Sequence, residues 1–104
     1  MLAFEGWQEG THTGTPGLEF QIAWWLNPQN AQVRRGMANA VNMVIPSTVT
    51  IQGISYNVSI IAEHGFINFS TMTSITIPNS VSSIRNRAFL VVQNIFTISL
   101  PRIS

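Results

Sequence analysis

The sequence contains no cysteine, no lysine and no aspartate. Without cysteine there can be no disulfide framework and no thiolate metal site. The other two absences leave 9% of the 104 residues charged at a net charge of +1, so the electrostatic footprint of a nucleic-acid binder is missing. The carboxylates, Glu5, Glu9, Glu19 and Glu63, are too few and too scattered for an acid/base pair. His12 and His64 have no carboxylate spacing that would build a metal set around them. Both read as solvated residues, His64 in a polar corner beside Glu63. Neither a Gly-x-Ser-x-Gly elbow nor a phosphate-binding glycine loop occurs, so the chain reads as a non-enzyme without a cofactor. The N-terminus lacks the basic and apolar regions of a secretory signal. The longest uncharged run, residues 36–62, is broken by Asn39, Asn42, Pro46, Gln52, Gly53 and Asn57, which argues against a membrane span.

What the chain does have is 45% hydrophobic residues, enough for one modest core, and an internal repeat. Sliding Val58–Pro78 by 23 positions lays it on Val81–Pro101: Val58 on Val81, Ser59 on Ser82, Ile61 on Ile84, Phe66 on Phe89, Ile75 on Ile98 and Pro78 on Pro101. Between these identities Phe69 meets Val92, Met72 meets Ile95 and Ile77 meets Leu100, so apolar positions fall on apolar positions throughout. A period in the low twenties implies a solenoid, in which each coil buries its apolar side against its neighbours. The expected repeat core is Val58, Ile61, Phe66, Ile75, Ile77, Val81, Ile84, Phe89, Ile95, Ile98 and Leu100. Short strands at Ile75–Ile77 and Ile98–Leu100 should lie parallel, with Ile75 beside Ile98.

Upstream, residues 1–16 read as a loose leader, rich in Gly and Thr with little to bury. Residues 17–57 read as N-terminal capping hairpins, and residues 58–104 as the coils. Leu18, Phe20 and Ile22 alternate with polar residues in a half-buried strand that runs into Trp24-Trp25-Leu26. Asn27-Pro28 then turns the chain towards a returning strand at Ala31–Val33. Met43–Ile45 reads as a short strand, and Thr48–Ile51 with Tyr56–Ile60 as a hairpin.

The segments Ile77-Pro78-Asn79-Ser80-Val81-Ser82-Ser83-Ile84, followed by Ala88-Phe89, and Ile45-Pro46-Ser47-Thr48-Val49-Thr50-Ile51 resemble the repeat of the BspA-like leucine-rich-repeat proteins, bacterial surface or secreted solenoids. The resemblance covers about residues 17–101. It implies a mainly β leucine-rich-repeat solenoid, here of about two 23-residue coils with an N-terminal β-hairpin cap. It further implies a cell-surface or secreted location and a non-enzymatic protein-binding or adhesion role towards a protein or host-surface ligand. Arg85 stands where the family carries Gly, so a left-handed corner at that residue would cost about 1 kcal/mol or more.

The remaining candidates are aromatic and cationic. If Trp24 and Trp25 lie on a strand they point to opposite faces, and the exposed one, with Trp7, could stack on a sugar ring. A carbohydrate-binding module is therefore the alternative function, and a cap over the open end of the solenoid is the structural role. Arg34-Arg35 and the pair Arg85/Arg87 read as solvated corners rather than anion sites. Asn57-Val58-Ser59 and Asn68-Phe69-Ser70 match the glycosylation pattern by accident. A last coil lacking a polar cap would expose residues 89–103 to self-association as a homo-oligomer.

Overall fold

The computed structural model describes residues 6–25, 27–67, 69, 71–89 and 97–99. These residues form eight strands and, among themselves, no helix: β1 (Glu19–Ile22), β2 (Asn30–Arg34), β3 (Asn42–Val44), β4 (Thr48–Ile51), β5 (Ile54–Ile61), β6 (Ser74–Thr76), β7 (Ser83–Ile84) and β8 (Thr97–Ser99). The fold is mainly β, built as one curled sheet and one short parallel sheet.

The 23-residue offset reappears as strand register. In the short sheet, β6 and β8 are parallel and place Ile75 opposite Ile98, as the repeat requires, although both strands begin one residue earlier than expected. In the other sheet β5 and β7 are parallel and place Ile61 opposite Ile84. Each ladder also holds an earlier strand. β2 runs parallel to β5 with Val33 opposite Ile61, and β3 runs parallel to β6 with Met43 opposite Ile75. The ladders β2-β5-β7 and β3-β6-β8 thus have three members, one more than two repeats supply. Part of the stretch expected to form hairpins, residues 31–44, lies in strand register with the repeats.

Antiparallel pairing supplies the rest. β1 and β2 form the expected hairpin, with Phe20 opposite Val33 and Ile22 opposite Ala31. β4 and β5 are joined at Ile51 and Ile54 by the two-residue turn Gln52-Gly53. Both turn residues have positive φ, 50° and 84°, the twist that a tight hairpin needs and that glycine adopts without strain.

Alternation along β1 and β4 sends Leu18, Phe20, Ile22, Val49 and Ile51 inward, where they meet Val33, Val58, Ile61, Phe66, Met72 and Ile75 in one core. Of the residues expected in the repeat core, Val58, Ile61, Phe66, Ile75, Ile77 and Val81 are buried. Phe89 is half-buried, its ring stacked on Phe66 at 5.6 Å. Ile84 departs from the expectation at 46% exposure: it lies on a two-residue strand that, among the described residues, pairs on one side only. Ile95 and Leu100 fall outside the described residues, as do the side-chain surroundings of Ile98 and most of the stretch 89–103 expected to self-associate.

Each corner between ladders closes with a backbone hydrogen bond across three residues. Ala38 N–H donates to the Arg35 carbonyl, Gly65 to Ala62, and Ala88 to Arg85, at 2.9, 2.9 and 3.2 Å. Each corner holds a left-handed residue: Gly36 at φ 57° in the first, and His64 and Arg87, both at φ 59° and one position later in the turn, in the other two, rather than Arg85. The strain foreseen for Arg85 is carried two residues later, in both repeats.

The leader is not loose where it is described. Gln8 exchanges both backbone hydrogen bonds with Phe20 on the outer edge of β1, at 2.9 and 2.7 Å. Thr11 does the same with Thr50 on β4, at 2.8 and 2.9 Å. Three residues of chain reach at most about 11 Å, whereas positions paired outside β1 and β4, the two ends of the strand order β1-β2-β5-β4, would lie about 24 Å apart in a flat sheet, so the sheet must curl. Thr15 then closes the edge of β3: its N–H donates to the Val44 carbonyl at 2.9 Å, and its hydroxyl accepts from Val44 N–H at 2.8 Å. His12, expected in solvent, lies between these bridges with its ring edge-on to Phe20 at 4.9 Å and its Nδ1 accepting from Gly14 N–H at 3.0 Å. Burial holds its pKa below the ordinary value, against the opposing charge of Glu9.

Three expected outcomes follow from this packing. Phe66→Ala should cost about 3–5 kcal/mol in urea unfolding, and Phe89→Ala, already half in water, about 1–2 kcal/mol. Equal costs would mean that Phe89 is more deeply packed than its exposure shows. Replacing His64 or Arg87 by Gly should raise stability by about 0.5–1 kcal/mol, because glycine adopts the left-handed corner without a Cβ clash. No gain in denaturation midpoint from either variant would show the corners unstrained. Stability should be greatest above His12's unfolded value of 6.5 and fall as pH drops below it, since the unfolded chain then binds a proton that the folded chain resists. His12→Gln should flatten this limb of the melting-temperature profile, and an unchanged profile would remove His12 as its source.

Candidate functional site

Outward-facing side chains of β1 and β2 pair across the strands. Glu19 lies opposite Arg34, and Gln21 opposite Gln32. Arg34 Nε donates to Glu19 Oε1 at 2.8 Å, and its terminal nitrogen lies 2.6 Å from the same oxygen. Gln32 Nε2 donates to Gln21 Oε1 at 2.6 Å. The parallel register continues this outer row from Gln32 to Ile60 and on to Ser83.

Two indoles stand over this face. Trp7, from the leader, lies one residue before the bridge to β1, and the Arg34 guanidinium packs 4.2 Å from its ring centroid. That cation–π contact ties the indole to a guanidinium already fixed by Glu19. Gly36 lets the pair close. A Cβ there would stand 2.5 Å from Glu19 Cγ, and its φ of 57° suits glycine. Trp25 follows β1 in the turn that leads to β2, with the Arg85 guanidinium 5.8 Å from its ring.

Trp7, Trp25, Gln32, Ala62, Glu63 and Arg85 line one open cleft of about 370 Å³. The corner that follows β5 supplies Ala62 and Glu63, and the corner that follows β7 supplies Arg85. The cleft holds two large apolar plates, one amide, one carboxylate and one guanidinium. Such a set can cover an apolar face and hydrogen-bond hydroxyl or amide groups around it. It has no nucleophile paired with a base. Among the described residues no group of three or more His, Asp or Glu side chains is placed to hold a metal ion.

The structure thus brings Trp7 and Trp25 together and leaves Trp24 outside the cleft. Trp24 and Trp25 do not point to opposite faces of a strand, because both lie in the turn after β1, at 40% and 56% exposure, and neither is buried as a cap. Asn27 sets that turn, its Oδ1 accepting from Gln29 N–H at 2.9 Å. Arg34 and Arg35 are not solvated corners. Arg34 is engaged as above, and Arg35 packs 3.8 Å from the Phe69 ring while its Nε donates to the Ala38 carbonyl at 2.8 Å. His64, Glu63, Arg85 and Arg87 are exposed. Asn57 lies on β5, and Asn68 and Ser70 fall outside the described residues. Gln32 and Glu63 were not candidate ligand residues from sequence; only the register of β2, β5 and β7 brings them beside the indoles.

No family profile and no curated protein sequence matches this chain. Solved structures do. A leucine-rich repeat protein from Bacteroides capillosus superposes with a TM-score of 0.73 at 26% identity, covering 90% of this chain and 67% of that one. The T. pallidum leucine-rich repeat protein gives a TM-score of 0.71 at 21% identity over 88% of this chain and 40% of its own. A leucine-rich cell surface protein from Faecalibacterium prausnitzii gives 0.72 at 23% identity, over 88% of this chain and 24% of its own. Three stacked strand layers, the 23-residue register and these neighbours agree with the BspA-like resemblance, and the chain has the fold of bacterial leucine-rich-repeat proteins.

Proposed function

We propose that the chain is a non-enzymatic protein-binding module of a bacterial surface or secreted leucine-rich-repeat protein, acting in adhesion and meeting its partner through the outer face of β3-β6-β8. The observation that carries this reading is the character of that face. Met43 and Ile75 point inward, leaving Asn42, Val44, Ser74 and Thr76 outward: short, uncharged side chains, with Asn42 and Ser74 hydrogen-bonded to each other at 2.6 Å. Exposed Met37 and Val41 lie on the stretch leading into it. A low-charge surface bordered by apolar groups loses little on desolvation, which suits a protein partner. The repeat fold of the neighbours supports the reading, as does the description of one of them as a cell surface protein. Among the described residues no helix is long and apolar enough to cross a membrane. The pair of hairpins formed by β1-β2 and β4-β5 is the N-terminal cap in this reading.

A second reading, carbohydrate binding, is favoured by one specific observation: Trp7 and Trp25 line the same cleft. Binding of the labelled chain to an epithelial cell surface separates the two. Saturable binding that disappears when the cells are first treated with trypsin, and that weakens at least about tenfold in a Val44→Arg, Thr76→Arg variant, is expected for a protein partner. Binding that survives trypsin and the double variant, but is lost after glycosidase treatment, would overturn the protein reading in favour of the second.

A further inference from the structure

Three features of the cleft decide which ligand fits it. The first is size. At about 370 Å³ it stands near the lower end of small-molecule sites, room for one ring with its substituents rather than for an extended chain. The second is shape and polarity together. Indoles offer broad, rigid apolar plates with a single polar handle, suited to a ligand with one apolar face, while Gln32, Glu63 and Arg85 are side chains that hydrogen-bond in the plane of their own groups. Gln32 donates one N–H to Gln21, so its orientation is set, and among the described residues its carbonyl oxygen and second N–H have no other partner. The third is charge. Glu63 and Arg85 contribute one charge of each sign, and Arg34, which packs on Trp7, is already paired with Glu19.

We propose that this cleft binds a single neutral pyranose ring: the C–H face of the sugar lies on Trp25, Trp7 closes the opposite side, and Gln32, Glu63 and Arg85 bond its hydroxyl groups. The inference rests on the carbohydrate reading above and narrows it to one site and one chemical class. A flat aromatic ligand would satisfy the indoles but leave the amide, carboxylate and guanidinium without partners, and an anionic sugar would meet the Glu63 carboxylate as well as the Arg85 guanidinium, with no net attraction. A pyranose has both an apolar face and a rim of hydroxyls that donate and accept. Trp7 acts through its place rather than its chemistry alone. The chain Glu19–Arg34–Trp7 holds that indole over the cleft, so Glu19 and Arg34 are positioning residues.

The test is a titration of the 15N-labelled chain with methyl glucoside, methyl galactoside, methyl mannoside and methyl glucuronide, following the three indole N–H signals assigned through Trp7→Phe, Trp24→Phe and Trp25→Phe. With at least one neutral glycoside, the Trp7 and Trp25 signals should shift saturably in the millimolar range expected of a single small ring, while Trp24 stays still. Trp25→Ala, at an exposed turn, should leave the remaining spectrum folded and weaken binding at least about tenfold. Arg34→Met should move the free Trp7 signal before any sugar is added and weaken binding by a smaller factor. If no glycoside moves any indole, this inference and the carbohydrate reading both fall. If a glycoside binds but shifts Trp24, leaves Trp7 or Trp25 still, or binds Trp25→Ala equally well, the carbohydrate reading stands and this site is wrong. Tighter binding of the glucuronide than of every neutral glycoside would overturn the class.

Discussion

An apolar residue in one layer must find an apolar residue at strand-pair distance in the next, and the rest of the fold depends on that requirement. Val33, Ile61 and Ile84 meet it in one ladder, and Met43, Ile75 and Ile98 occupy the equivalent register in the other. Backbone hydrogen bonds between layers close only when successive coils return to the same place, which fixes coil length wherever layers repeat. The first layer meets the constraint by another route. Ten residues separate Val33 from Met43 where fourteen separate Ile61 from Ile75, and eighteen lead from Met43 to Ile61 where nine lead from Ile75 to Ile84. The shorter corner and the inserted β4-β5 hairpin change the path while the strands keep their alignment. Ser59, buried at the register shift between Ala31 and Gln32, is the one residue of β5 left without an opposite number on β2.

This explains what could be read from sequence and what could not. The two later layers share one offset, so Ile61 with Ile84 and Ile75 with Ile98 are visible as a repeat. The first layer has no constant offset to the second, so Val33 and Met43 read as pieces of hairpins although they stand in the same ladders. The strands were legible from Leu18-x-Phe20-x-Ile22 and from Thr48–Ile51, because alternation is a side-chain signal. The leader's attachment was not, because Gln8, Thr11 and Thr15 bond through backbone groups that every residue carries. Ile84 shows the converse: its apolar side chain reported a repeat position, and its exposure depends on a short strand that sequence could not delimit.

The candidate site was half legible. Trp7 and Trp25 stood out by residue type, but eighteen positions of chain, including β1, lie between them. Their meeting depends on Gln8 reaching Phe20, a contact without sequence signature. Glu63 and Arg85 come from successive corners, so the repeat that builds the core also stacks the cleft's polar wall. Binding chemistry here is a by-product of layer stacking, with the indoles added from outside the repeat.

The leader has one more consequence, which concerns direction. Gln8 and Thr15 occupy the backbone groups of Phe20 and Val44 on the outer sides of β1 and β3, so a strand arriving from that side would find these donors and acceptors already used. β7 and β8, at the other side, pair with the preceding layer and with no further described strand. Extension of this structure is therefore polar: another layer, whether from the same polypeptide or from a second molecule, can join at one face and is refused at the other. The bridges made by Gln8 and Thr15 thereby set the direction in which such layers can accumulate, as a chain terminator does for a polymer growing from one end.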